Sequence, residues 1–157
     1  MVKYRERFST VGLFENEVYP GIDSLLEKLK QEGKLLATAS SKPENFVLQI
    51  LEHFGLDGYF DEIAGAELST SGRNSKEAVL RYVLDRLGVE DLSTAVLVGD
   101  TKFDVIGAKA HGIPTIGVSW GYGKVEDMEQ AGAVAIVHTM QELFDTLNLN
   151  NGCTCTC

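Results

Sequence analysis

Five short apolar runs recur along the chain: residues 34–39 (KLLATA), 62–66 (EIAGA), 95–99 (AVLVG), 114–119 (PTIGVS) and 133–137 (AVAIV). Each is too brief for a helix and lacks the in-and-out alternation of a sheet wetted on one side. Each therefore reads as a parallel strand buried on both faces. Between them, apolar residues fall at helical spacing: Ile22, Leu25, Leu26 and Leu29; then Val47, Ile50, Leu51 and Phe54; then Val79, Leu80, Val83, Leu84 and Leu87; finally Met140, Leu143, Phe144 and Leu147. Gly33, Gly55, Gly88 and Gly112 fall near helix ends, where a left-handed residue commonly stops a helix. The alternation predicts an α/β fold, a doubly wound (Rossmann-like) mostly parallel sheet flanked by helices.

A chain of 157 residues, 44% of them hydrophobic, suffices for one core and one domain. Its 23 acidic against 14 basic residues give a net charge of −9, which opposes a nucleic acid partner. No apolar stretch approaches the ~20 residues of a membrane span, and the opening MVKYRERFS lacks the apolar centre of a signal peptide. The expectation is a cytoplasmic protein with no membrane contact. All three cysteines, Cys153, Cys155 and Cys157, fall in the last five residues, so no disulfide framework supports the body. Alternating thiols can hold a soft metal, but no His or fourth Cys accompanies them, and a disordered tail over 149–157 is the simpler expectation.

In doubly wound sheets, ligands gather beyond the carboxyl ends of the strands. Polar residues cluster there in this sequence. KLLATA leads into Ser40, Ser41, Lys42 and Pro43, where a hydroxyl and turn N–H groups suit a phosphate oxygen, or where a serine simply caps a helix. The loop Ser69–Ser75 delivers Lys76 to the start of a helix, a place where a cation opposes the helix dipole. That conflict favours a phosphate partner for Lys76. AVLVG ends on Asp100, and Asp104 follows one helical turn later. Hard carboxylate oxygens so placed suit Mg2+, although a cap at Asp100 and a dipole partner at Asp104 would explain the same spacing. The loop GVSWGYGK has the wrong glycine spacing for a P-loop and reads as a wall beside the site. His53, His111 and His138 are scattered and form no metal spacing.

Taken together, a hydroxyl after one strand, a lysine opening a later helix and GDxxxD after the next strand form an ordered set. The set resembles the haloacid dehalogenase-like (HAD) hydrolase superfamily, and within it the phosphoglycolate phosphatase-like branch. Phrases such as YPGIDSLLEKLKQEGKLLATASSKP and VLVGDTKFDVIGAKAHGIPTIGVSWGYG carry the likeness from about Tyr19 to Leu147. The resemblance implies hydrolysis of a small phosphate monoester, a small phosphorylated metabolite, through an aspartyl-phosphate with Mg2+ as cofactor. It assigns phosphate binding to Ser40 and Ser41, and assigns Lys76 both to phosphate and to catalysis. It gives Asp100 and Asp104 to the metal.

In that family the nucleophilic aspartate and its acid/base partner belong to a DxDxT motif ending the first strand. No DxDxT occurs in this sequence. Residues 1–18 resemble instead a remnant of the helical cap and its linker, ahead of a core over 19–148. Glu15 and Glu17 imitate the spacing, but a longer side chain would misplace the attacking oxygen. The expectation is a chain that is inactive alone, or a non-catalytic descendant that binds phosphate or a protein. The resemblance also places the absent strand centrally, between the strands ending at Ser40 and Asp100. A weakly stable chain is expected unless those strands close up or another segment fills the gap.

Overall fold

The computed structural model describes residues 17–67 and 72–149, and the backbone of 154–156. Glu15, most of the expected cap remnant, Ser69 to Ser71, Cys153 and Cys157 lie outside the described residues.

The elements run α1 (Ile22–Gln31), β1 (Leu36–Pro43), α2 (Glu44–His53), β2 (Glu62–Ala66), α3 (Lys76–Leu87), β3 (Ala95–Gly99), α4 (Lys102–Lys109), β4 (Thr115–Val118), α5 (Val125–Ala131), β5 (Ala135–Val137), α6 (Met140–Leu149) and β6 (Thr154–Thr156). All the expected strands are present and all ladders are parallel, in the order β2-β1-β6-β3-β4-β5. The expected α/β architecture is what the chain adopts.

Alternate residues of β1 and β3 feed two separate cores, which is why these strands read as unbroken apolar runs. On one face Leu36, Val96, Ile116 and Val137 meet Leu25, Leu26 and Leu29 of α1 and Leu143 and Leu147 of α6. On the other face Ala37, Ala39, Ala64, Ala95 and Leu97 meet Val79, Leu80, Val83 and Leu84 of α3. The small alanines let α3 lie close to the sheet. Helix α3 ends on Gly88, whose φ of 65° supplies the left-handed turn predicted there.

Two details differ from expectation. Strand β1 continues through Ser40 and Ser41 to Pro43, and α2 starts at Glu44 behind Pro43 with no side-chain cap, so Ser41 is strand and not a helix cap. The tail is the second. Thr154–Thr156 is a strand and Leu149 closes α6, where a disordered 149–157 was expected. Moreover β6 pairs between β1 and β3, at Leu36 and Ala37 on one side and at Ala95, Val96 and Leu97 on the other. Of the two ways to close the central gap, another segment fills it.

Candidate active site

Four of the five expected site residues meet at the carboxyl ends of β1 and β3. Ser40, Lys76, Asp100 and Asp104 line one cleft of about 300 Å³, together with Thr38, Ala39 and Lys42. Ser41 does not join them. It is exposed and is not part of the cleft lining. Ser40 lies half-buried at the cleft, and its Oγ accepts the Lys42 N–H at 3.1 Å.

Lys76 is the first residue of α3, behind Ser75, whose side chain accepts the Ala78 N–H. The unfavourable helix dipole is offset by two partners. Lys76 Nζ is 2.7 Å from Asp104 Oδ1, and it also donates to the carbonyl oxygen of Ala39. The lysine stem crosses α4 at Gly107. A Cβ there would come within 2.7 Å of Lys76 Cγ, so a side chain at 107 would push the ammonium out of place.

Asp104 is buried and fully engaged. Its Oδ2 accepts from Asp100 N at 3.2 Å, Thr101 N at 3.0 Å and Thr101 Oγ1 at 2.8 Å, while Oδ1 holds Lys76. Thr101 and Asp104 form a capping box at the start of α4. In this arrangement the carboxylate expected as a second ligand braces the site: it fixes the lysine and the turn carrying Asp100.

Asp100 differs. Its Oδ2 accepts the Tyr122 N–H at 2.8 Å, and its other oxygen has no partner among the described residues. Gly121 and Gly123 pack directly on Asp100, and a Cβ on either would overlap it. GVSWGYGK is thus the clamp that orients Asp100. Burial, then the nearby Tyr122 and Asp100 charges, raise the Tyr19 phenol above its ordinary range, which marks the acidic side of the mouth. The clamp was missed as a contributor because its signal, two glycines around one residue, has meaning only once Asp100 is known to lie against it.

One carboxylate with a free oxygen, at an open strand end, fits Mg2+, which usually takes one or two protein carboxylates and keeps its waters. Among the described residues no group of three or more His, Cys, Asp or Glu gathers, so this is no dedicated metal cage. Glu17, the described half of the imitation motif, is exposed ahead of α1.

A doubly wound parallel sheet with an acid, a lysine and a hydroxyl at adjoining strand ends defines an α/β protein with a polar cleft at the carboxyl ends of its strands. The family profile for haloacid dehalogenase-like hydrolases matches residues 1–118, and the chain belongs to that family. Tyrosine-protein kinase PtkA of Mycobacterium tuberculosis is 40% identical over 95% of this chain and 51% of its own length. Phosphoglycolate phosphatase of Rhodospirillum rubrum is 39% identical over 94% of this chain and 60% of its own. The crystal structure of a predicted phosphatase from Clostridium acetobutylicum superposes with a TM-score of 0.88 at 43% identity, over 93% of this chain and 67% of that one. The chain thus spans about half to two thirds of these relatives. No helix among the described residues is long and apolar enough to cross a membrane.

Proposed function

We propose that this chain forms the Mg2+- and phosphate-binding portion of a cytoplasmic phosphatase for small phosphate monoesters, and that it is inactive without a carboxylate nucleophile from elsewhere. The observation that carries this reading is the inequality of the two acids. Asp104 is consumed by four donors, while Asp100 is clamped with one oxygen free at the cleft.

In this reading Asp100 holds the metal, which when bound offsets negative charge on phosphoryl oxygens. Lys76 places a second positive charge beside the same oxygens, with Asp104 fixing its direction, and Ser40 donates its hydroxyl to one of them. Catalysis of this kind consists of positioning and charge neutralisation, so the nucleophile can be absent while the binding half stays intact. Attack by an aspartate on phosphorus would form the acyl-phosphate O–P bond and release the alcohol with a proton. Water would then cleave the acyl phosphate. The names of the relatives, a kinase and a phosphatase, agree on a moving phosphoryl group and differ in where it goes. A non-catalytic phosphate-binding or protein-binding role uses the same Asp100 and Lys76 and differs only in lacking turnover.

Titration of the purified chain with MgCl2 in a calorimeter tests the reading. Asp100→Asn should weaken Mg2+ at least tenfold, and an aryl phosphate should show no hydrolysis above background. Equal Mg2+ binding by the Asn variant would remove Asp100 from its role, and turnover by the chain alone would remove the missing nucleophile.

A further inference from the structure

The loop that leads from β2 to Lys76 is closed at its base by two hydrogen bonds. Glu67 N donates to Arg73 O at 2.8 Å, and Arg73 N donates to Glu67 Oε2 at 3.4 Å. The Arg73 side chain lies against the fold, only 14% exposed. Its Nη2 is 2.8 Å from Glu44 Oε2 and 3.5 Å from Glu67 Oε1, and its guanidinium carbon sits 3.8 Å from the centroid of the Tyr82 ring. One planar cation thus joins three places: the first residue of α2, the residue after β2 and the second turn of α3.

Both ends of this bridge are themselves fixed. Glu44 follows Pro43 directly at the end of β1, and its Oε2 also accepts the Gly65 N–H at 3.4 Å. Gly65 permits that approach: a Cβ there would come within 2.5 Å of Lys42 O and 2.7 Å of Glu44 Cα. Tyr82 is partly buried and packs on the core shared by α3 and the sheet. Ser40 precedes Glu44 on the same segment, and Lys76 follows Arg73 with only the exposed Asn74 and Ser75 between. The bridge therefore spans the two segments that carry Ser40 and Lys76 to the cleft.

As a source of stability the arrangement is weak. The Glu44 and Glu67 side chains are 39% and 47% exposed, where ion pairs gain little, and Arg73 Nη1 is buried without a hydrogen-bond partner among the described residues. What it supplies is geometry. A guanidinium is a rigid fork, here stacked on a ring and held at its edge by two carboxylates, so it fixes directions that a lysine would leave free. The same two segments are also tied by Lys76, which donates to Ala39 O. That tie uses the ammonium itself, so an anion that draws Lys76 away loosens it. Neither Arg73 nor Glu44 lines the cleft, and their tie survives when the cleft is filled.

We propose that Arg73 is a positioning residue: by tying Glu44 to Tyr82 it sets the spacing between Ser40 and Lys76, and it holds that spacing when an oxyanion takes the Lys76 ammonium from Ala39. Phosphate as that oxyanion rests on the reading given under Proposed function; the placement of Lys76 does not. Without the bridge, the base of the loop and the start of α3 can shift against the end of β1. The hydroxyl and the ammonium then no longer converge on one tetrahedral anion, and small errors of this kind are enough to weaken a site. The cores, built from other residues, stay in place.

In the test, the full chain is labelled with nitrogen-15 lysine, and the Lys76 ammonium, assigned with Lys76→Arg, is followed by NMR at low temperature. Held by Asp104 and Ala39, it should give a slowly exchanging signal in the wild type. Arg73→Ala should shift that signal or broaden it beyond detection. Inorganic phosphate, titrated calorimetrically in the presence of MgCl2, should bind this variant at least fivefold more weakly. Arg73→Lys keeps the charge without the fork and should restore neither property. Glu44→Gln cuts the bridge at its exposed end, and it keeps the proposal open to failure if Arg73→Ala does not fold. It should lower phosphate affinity at least threefold, and its loss should not add to that of Arg73→Lys, because both remove one interaction. A Lys76 signal unchanged while thermal stability falls makes Arg73 merely structural and overturns the proposal. Rescue by lysine, additive losses, or no protected signal in the wild type do so as well. A signal that moves as expected in a chain that binds no phosphate keeps the positioning role and sinks the phosphatase reading. Equal phosphate affinity in the wild type and the variants does the reverse.

Discussion

The corner where α3, α4 and β3 meet and the centre of the sheet lie side by side, yet they are built to opposite standards. At the corner, Asp104 has four donors, Lys76 has two acceptors, and glycines 99 and 107 are small where Asp104 and Lys76 must pass. At the centre, a three-residue strand does duty between neighbours of eight and five residues, with apolar cavities beside it. The difference teaches that the Lys76–Asp104 corner is braced by elements close in space, without help from the central strand. What is left loosely packed is the region around β6.

The hardest blow to this contrast is Asp104→Ala. It strands the mostly buried Lys76 ammonium and uncaps α4, and breaking a buried pair from one side costs about 3–5 kcal/mol. Urea unfolding should register at least the lower figure; a loss under 1 kcal/mol would mean that the corner is no better braced than the centre. Next in size is a pair of truncations. Leu80→Ala, in the face packed on α3, should cost about 3 kcal/mol, whereas Leu26→Ala, already beside a cavity, should cost about 2 kcal/mol because it gives up fewer contacts. A reversed order would show that the α1–α6 face is the better packed.

Filling the loose region should help. Val98→Ile adds one methylene beside the cavities and is expected to stabilise by about 0.8 kcal/mol. Destabilisation would show that the space does not accept it.

The smallest effect is a pH dependence at the rim. Burial pushes the Asp61 carboxyl up, but hydrogen bonds from Lys30 and the Leu36 N–H, with the Lys30 charge, outweigh it and hold it below its ordinary value. A depressed folded pKa adds stability that is present above the unfolded value of about 3.9 and is lost as pH falls through the folded value. Asp61→Asn should therefore lower stability at neutral pH by under about 1 kcal/mol and flatten the decline below pH 4. An unchanged acid limb would show that Asp61 contributes nothing to it.

Much of this was legible in the chain. Strands and helices follow from local apolar period, and Lys76 at a helix start and Asp100 at a strand end follow from local spacing. The exceptions share one cause. That Asp104 also braces Lys76 and the Thr101 turn shows only when those groups are found on its oxygens. Ser40 and Ser41 look equivalent until the strand continues and Ser41 is found exposed, outside the cleft lining. The glycines of GVSWGYGK look like loop flexibility until Asp100 is seen against them.

By itself, then, the sequence determined the α/β alternation, the two-faced burial of the strands and the polar residues at their ends, because each depends on neighbours within a few positions. Only the tertiary structure decided which acid keeps a free oxygen, which serine reaches the cleft and what lies between β1 and β3. Those outcomes depend on hydrogen-bond partners and strand neighbours far away in the chain, and spacing along a sequence carries no record of which distant group arrives first.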